Sequence, residues 1–205
     1  MSNRKRSLLL VVSAPSGAGK TTLCHKLLEE YDGMVRSVSC TTRARRGREV
    51  DGRDYHFISE AEFAARVKRH AFLEHAVVHG RYYGTPRKDV EAALKAGKDV
   101  LLAIDVQGAS EIRKQAEAAR TGPLRKAFVD IFVLPPSIKV LEQRLIGRDE
   151  DSTDEIKRRL VVARKEMKAA PEYMHRVVND DLDKAFNELK SIIVAEHGRA
   201  SSAKA

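Results

Sequence analysis

No apolar run in this 205-residue chain approaches the roughly 20 residues that a membrane-spanning helix needs, which excludes a helical membrane protein. The basic start SNRKRS precedes only about five strongly apolar residues, too few for the core of a signal peptide. Cysteine is scarce. Cys24 and Cys40 stand alone, with neither metal-ligand spacing nor the density of a disulfide framework, so a reduced, cytoplasmic protein is expected. Aromatic residues make up 5%, too few for a base-stacking platform that binds single strands. The seven histidines show no metal or triad spacing, and His56 and His75 read as packing or surface residues. There is no internal repeat and no low-complexity linker.

What is present is an ordinary soluble composition, 42% hydrophobic and 33% charged, in a length that suits one domain with inserted lobes. The formal charge of +9 suits either a nucleic-acid surface or a pocket for polyanionic small molecules. Because the basic residues form no long block and carry no aromatic interleaving, small phosphorylated ligands are favoured and no nucleic-acid partner is expected.

Near the amino terminus stands SLLLVVSAPSGAGKTTL. The apolar run at 8–12 reads as a strand buried on both faces of a parallel sheet, and 22–30 as a helix. Between them Ala14, Pro15, Ser16, Gly17, Ala18, Gly19, Lys20, Thr21 and Thr22 form a phosphate loop. Backbone N–H groups at the helix start make an anion site, and the glycines let the chain turn tightly around phosphate oxygens. Lys20 reaches the terminal phosphates and the Thr21 hydroxyl is placed to ligate magnesium. The usual first glycine of G-x-x-x-x-G-K-[ST] is Ala14, which the loop tolerates provided that position has no positive φ.

Further strands are expected at 99–105 (DVLLAID), 128–134 (FVDIFVL) and 176–178, with helices at 110–119, 137–145, 153–169 and 181–196. Ser152 and Glu155 have capping-box spacing. This alternation argues for an α/β fold with a central parallel sheet flanked by helices. Between Val38 and Thr85 it breaks down into short polar segments, with turns at Gly47 and Gly52. Ser59 and Glu62 open one short helix there, and Thr85-Pro86 starts another with proline at the first position. An inserted lobe is expected. The tail from 197 to 205 is small and polar and is expected to be disordered.

Within the lobe, Arg43 and Arg46 with Tyr55 form a set able to grip a second phosphate. Glu74, Tyr83 and Thr85 add a carboxylate, a phenol and a hydroxyl. From residue types alone these sets are equally compatible with a solvated face and a packed tyrosine pair.

The order of the phosphate loop, SVSCTTR, GREVDGRDYHF, YYGTP, IDVQG, RLIGR and VVNDD resembles the guanylate kinase family, nucleoside monophosphate kinases that convert GMP to GDP with ATP. The likeness runs from about Leu8 to about Ala195. It implies a P-loop NTPase fold with a core at 6–37, 88–143 and 170–196, a GMP-binding lobe at about 38–87 and a helical lid at about 144–169. By resemblance, Ser39, Arg43, Arg46, Tyr55 and Tyr83 surround the GMP phosphate, and Glu74, Thr85 and Asp105 read guanine. The chemistry agrees: guanine offers two adjacent donors to a carboxylate, and its O6 accepts from a hydroxyl, whereas adenine offers neither. The resemblance places Arg144 against adenine, Arg148 and Arg159 at the transferring phosphoryl group and Asn179 near the ATP base. Lys20, Arg43, Arg148 and Arg159 are then the catalytic cations, with Mg2+ held by Thr21 and the ATP phosphates. One position departs from the family. The strand before the glutamine-glycine turn commonly carries an acid two residues before the aspartate, where this chain has Ala103.

Two other readings stand beside this one. A non-catalytic guanylate-kinase-like binding module has no need of Lys20 and Thr21. A P-loop kinase for another phosphorylated acceptor, such as a ribose bisphosphate, has no need of a guanine reader.

Overall fold

The structure is a computed structural model that describes residues 6–78, 80–119, 122–147 and 153–202. The chain opens with strand β1 (Leu9–Ser13), helix α1 (Lys20–Glu30) and strand β2 (Met34–Arg36). Next come β3 (Cys40–Thr41), β4 (His56–Phe57), α2 (Glu60–Lys68), β5 (Phe72–Val78) and β6 (Arg81–Pro86). The chain then runs through α3 (Arg87–Lys95), β7 (Asp99–Ala103), α4 (Val106–Ala118), α5 (Pro123–Ala127) and β8 (Phe128–Leu134). Helices α6 (Ile138–Ile146) and α7 (Thr153–Met167), a 3-10 turn, β9 (His175–Val178) and α8 (Leu182–Ser202) complete it.

Five parallel strands form the main sheet in the order β2-β7-β1-β8-β9. The unbroken apolar run of β1 follows from its central place. Leu10 and Val12 face one layer, with Leu23 and Leu27 of α1 and Phe186, Leu189 and Ile193 of α8. Leu9 and Val11 face the other, with Val90 and Leu94 of α3 and Ala109 and Ile112 of α4. A strand with period 2 and two buried faces is apolar along its length, and here only the last residue, Ser13, is polar. The sheet thus has the P-loop NTPase arrangement, with β1 delivering the phosphate loop from its carboxyl end.

A second, four-stranded sheet, β4-β3-β6-β5, draws all its strands from residues 40–86. The β5–β6 hairpin is antiparallel and pairs Glu74 with Thr85. Ser59 caps α2 by accepting the Glu62 N–H at 3.1 Å.

The structure corrects several sequence expectations. The main sheet gains β2, whose three residues run from buried to exposed and so lack an apolar pattern. Pro86 ends β6 and serves as the N-cap of α3, not its first residue. Helices α1 and α4 begin two and four residues earlier than their patterns suggested. The supposed tail is helical as far as Ser202. His197 is 7% exposed and its Nε2 lies 3.0 Å from Asp99, while Arg199 pairs with Glu196, so these contacts extend α8. The Ser152 cap lies outside the described residues.

Candidate active site

The loop after β1 is shaped by backbone geometry. Gly17 and Gly19 have φ of +90° and +94°, the left-handed region where side chains are strained. A Cβ on Gly19 would also meet the Asn179 amide nitrogen at 2.2 Å, and one on Gly17 would press on Leu141 and Leu145 at 3.0 Å. Ala14 is buried and has no positive φ; among the described non-glycine residues only His70 does. The alanine therefore leaves the loop intact. Lys20 Nζ donates to the Ile104 carbonyl at 2.9 Å, which ties the loop to the end of β7. Burial pulls the Lys20 ammonium below its ordinary pKa, opposed by Cys24, Asp105 and Glu166. Thr21 and Thr22 are exposed in the first turn of α1, at the positive end of its dipole.

Beside the loop, between the two sheets, lies a cleft of about 150 Å3. It is lined by Ser39, Tyr55, Glu74, Tyr83 and Asp105 of the expected acceptor set, with Ser37 and Ala103 added. Glu74 is 4% exposed, and its Oε1 accepts the Thr85 hydroxyl at 2.5 Å. Burial raises its carboxyl pKa to about 7; the Thr85 hydrogen bond opposes the rise, and Asp105 and Glu111 add to it. Gly108 is what makes room, since a Cβ there would come within 2.7 Å of Glu74 Oε2. Asp105 has a further duty: its Oδ1 accepts the Gly108 N–H at 2.8 Å and caps α4.

Arg43 is gripped in two places by Glu49, at 2.7 and 2.9 Å, and lies 5.3 Å from the Tyr55 ring centre. The Glu49 and Tyr83 hydrogen bonds raise the Arg43 pKa, and the Arg43 hydrogen bond holds the Glu49 carboxyl down at about 2. Glu49 also accepts the Arg46 backbone N–H at 2.8 Å, while the Arg46 side chain stays exposed. One carboxylate thus shapes the whole arginine loop.

Arg159 on α7 donates to Ser16 Oγ at 2.6 Å, so the helix already lies against the phosphate loop. Two turns later on α7, Glu166 faces the same loop: burial raises its carboxyl pKa, and Lys20 and the Ser16 backbone oppose the rise. Arg144 donates to the Asn179 carbonyl at 2.9 Å. Asn179 is 5% exposed, and its amide donates to the Ala18 carbonyl at 2.8 Å, so it braces the loop from behind. Arg148 lies outside the described residues.

Sequence reading missed Ser37, Glu49, Gly108 and Glu166. The Ser37 Oγ is buried with no hydrogen-bond partner among the described residues, although the residue lines the cleft. Glu49 and Gly108 sit inside segments already singled out, GREVDGRDYHF and IDVQG, but their partners become visible only in three dimensions. Glu166 had no local signal.

Both cysteines are free and buried, and burial raises the Cys24 thiol to about 11. No described helix is long and apolar enough to cross a membrane. Among the described residues no three His, Cys, Asp or Glu side chains form a metal cage. A P-loop magnesium needs none, because it takes most of its six oxygens from phosphates and water. The exposed Thr21 hydroxyl beside Lys20 and Asp105 fits that requirement.

Comparison with known proteins agrees with this geometry. A family model described as guanylate kinase matches residues 6–196. The guanylate kinase of Paramagnetospirillum magneticum is 46% identical over 192 residues, covering 94% of this chain and 86% of that protein. That of Nitrobacter winogradskyi is 48% identical, with coverages of 94% and 84%. The crystal structure of guanylate kinase from Anaplasma phagocytophilum aligns with a TM-score of 0.73 at 33% identity, covering 94% of this chain and 87% of that one. With a family model over nearly its whole length and relatives close to half identical across it, the chain belongs to the guanylate kinase family.

Proposed function

We infer that the protein transfers the γ-phosphoryl group of ATP to GMP, giving ADP and GDP. The observation that carries this reading is the Glu74–Thr85 pair, buried in a cleft that adjoins the phosphate loop. A buried carboxylate is costly unless a ligand uses it, and guanine N1–H with the 2-amino group supplies two donors. A sugar phosphate supplies no such planar pair.

The roles divide as follows. The loop from Ala14 to Thr22 wraps the ATP phosphates, and Lys20 neutralises charge on the group in transfer. Arg43, Arg46, Ser39, Tyr55 and Tyr83 hold the GMP phosphate, while Glu74, Thr85 and Asp105 hold its base. Arg159, with Arg148, brings positive charge from the lid, and Arg144 flanks the nucleotide. Asn179 braces the loop through the Ala18 carbonyl and stands near the ATP base. Residues 38–87 and 144–169 work as lobe and lid against the core.

Phosphoryl transfer leaves little covalent work for side chains, so positioning and charge stabilisation supply the catalysis and no general base is assigned. Magnesium, held by Thr21 and the ATP phosphates, supplies Lewis-acid charge neutralisation when bound. Closure of lobe and lid excludes water that would otherwise hydrolyse ATP. The site of action is the cytoplasm, with small nucleotides and not nucleic acids as ligands.

A coupled ADP-release assay over AMP, CMP, UMP, GMP and a blank tests this reading. GMP should dominate, because a site built to hydrogen-bond its substrate rejects the wrong partner by about 10⁴-fold. AMP turnover equal to GMP turnover would overturn it.

A further inference from the structure

The lid carries a carboxylate for which the roles above have no use. Glu166 shares one face of α7 with Arg159, seven residues and two turns away. Arg159 donates to the Ser16 hydroxyl, which seats that face of α7 on the phosphate loop. The Glu166 Oε2 atom is buried and has no hydrogen-bond partner among the described residues.

The surroundings say what the orphan oxygen awaits. Lys20 and Asp105 are the charged groups that act on Glu166, and Glu166 and Asp105 are the carboxylates that act on Lys20. The carboxylate therefore lies within electrostatic reach of Lys20, on the helix that Arg159 seats on the phosphate loop. A carboxylate and a phosphate repel each other across such a space unless a cation lies between them. Lys20 Nζ already serves the Ile104 carbonyl and the phosphates. Magnesium sheds its waters reluctantly, so a carboxylate at this place acts through a metal-bound water.

We propose that Glu166 is a positioning residue for the magnesium of the ATP complex, accepting a hydrogen bond from a metal-bound water and thereby coupling metal binding to the seating of α7 on the phosphate loop. The proposal extends the nucleotide site without altering its acceptor. It makes the lid sensitive to the metal as well as to the phosphates.

The test is the affinity of the full chain for a non-hydrolysable ATP analogue, measured by calorimetry in excess magnesium and in chelator. Glu166→Gln keeps shape and loses charge. The variant should lose roughly 10–100-fold of the affinity gain that magnesium confers, the usual cost of removing an outer partner of a metal site. In chelator it should bind the analogue as tightly as the parent or more tightly, because a repulsive charge is gone. Metal-free affinity also checks the fold, and Glu166→Ala should repeat the magnesium-confined loss. An unchanged magnesium gain overturns the proposal. So does equal weakening with and without metal, which would make Glu166 only a latch on Ser16. Neither result touches the choice of GMP, which the ADP-release assay reads separately.

Discussion

In the proposed reading the phosphate loop binds anions chiefly with its backbone, whereas the acceptor cleft binds them with side chains. In the loop the needed donors are N–H groups aimed by Gly17 and Gly19, braced by Asn179 and packed under Leu141 and Leu145. On the acceptor side Glu49 grips Arg43 in two places, and the proposed base reader, Glu74, is a carboxyl whose pKa burial raises to about 7. The difference divides the labour. On this proposal a backbone site takes any triphosphate end and governs the rate, while a side-chain site chooses the acceptor. Damage to the first should lower turnover for every acceptor, and damage to the second should change which acceptor is used.

The largest effect should come from Lys20→Met. It removes the point charge on the transferring group and should lower kcat by roughly 10³-fold, as loss of a transition-state donor does. The thermal unfolding profile should stay close to the parent's. Near-normal kcat in a folded variant would break the division at once.

Glu74→Gln should act on choice instead. Losing a charged hydrogen bond costs about 1.5–3 kcal/mol, so the preference in kcat/KM for GMP over AMP should fall roughly 10–100-fold. The effect depends on pH. With the carboxyl pKa raised to about 7 in the folded protein, the native state holds a proton that the unfolded chain has already lost above the usual carboxylate range. Stability of the free parent should therefore fall, relative to the variant, as pH rises through that window to about 7. Guanine's donors require the ionised form, so GMP affinity should rise by up to about tenfold per pH unit below about 7 and level off above it. A parent profile that overlays the Glu74→Gln profile would remove Glu74 from base recognition.

Gly19→Ala sharpens the contrast from the donor side. The left-handed backbone costs a side chain roughly 1–2 kcal/mol, before any conflict with Asn179. A loss of that size should lower the melting temperature by about 2–8 °C in a chain of this length. Calorimetry should show weaker ATP binding with GMP binding intact, and equal loss of both would show that the two sites are not independent.

The smallest effect is expected from Ala103→Asp. A carboxylate at the end of β7 should lower the magnesium concentration for half-maximal rate by a few-fold and leave the GMP preference unchanged. If the two magnesium curves overlay, position 103 has no part in metal placement.

Much of the donor side was legible in the chain because its determinants are local. A buried strand, small residues, Lys20 and a helix follow one another within seventeen residues, SLLLVVSAPSGAGKTTL. The acceptor side was legible only in part. Glu74 and Thr85 are eleven positions apart and meet through hairpin register, and Asp105 and Gly108 arrive from another element. Residue types could not distinguish that set from a solvated face, and resemblance to a family supplied the grouping. β2 was missed because an edge strand of three residues has no period to detect. The helical end of α8 was missed because His197 is held by Asp99, a residue 98 positions earlier.

The pairing of β1 with β7 has a consequence for tolerance to change. Val12 stands beside Ala103 in parallel register, and the two strand ends lead into the phosphate loop and the acceptor corner respectively. Inserting or deleting one residue in either strand would slide one substrate past the other by about 3.3 Å. Misplacement by about 1 Å already costs a reaction of this kind roughly 10²-fold. The hydrogen-bond ladder between these strands is therefore a fixed gauge block. Loops and helices around the site can drift in length over time, but the count of residues between the start of each strand and its reactive end cannot.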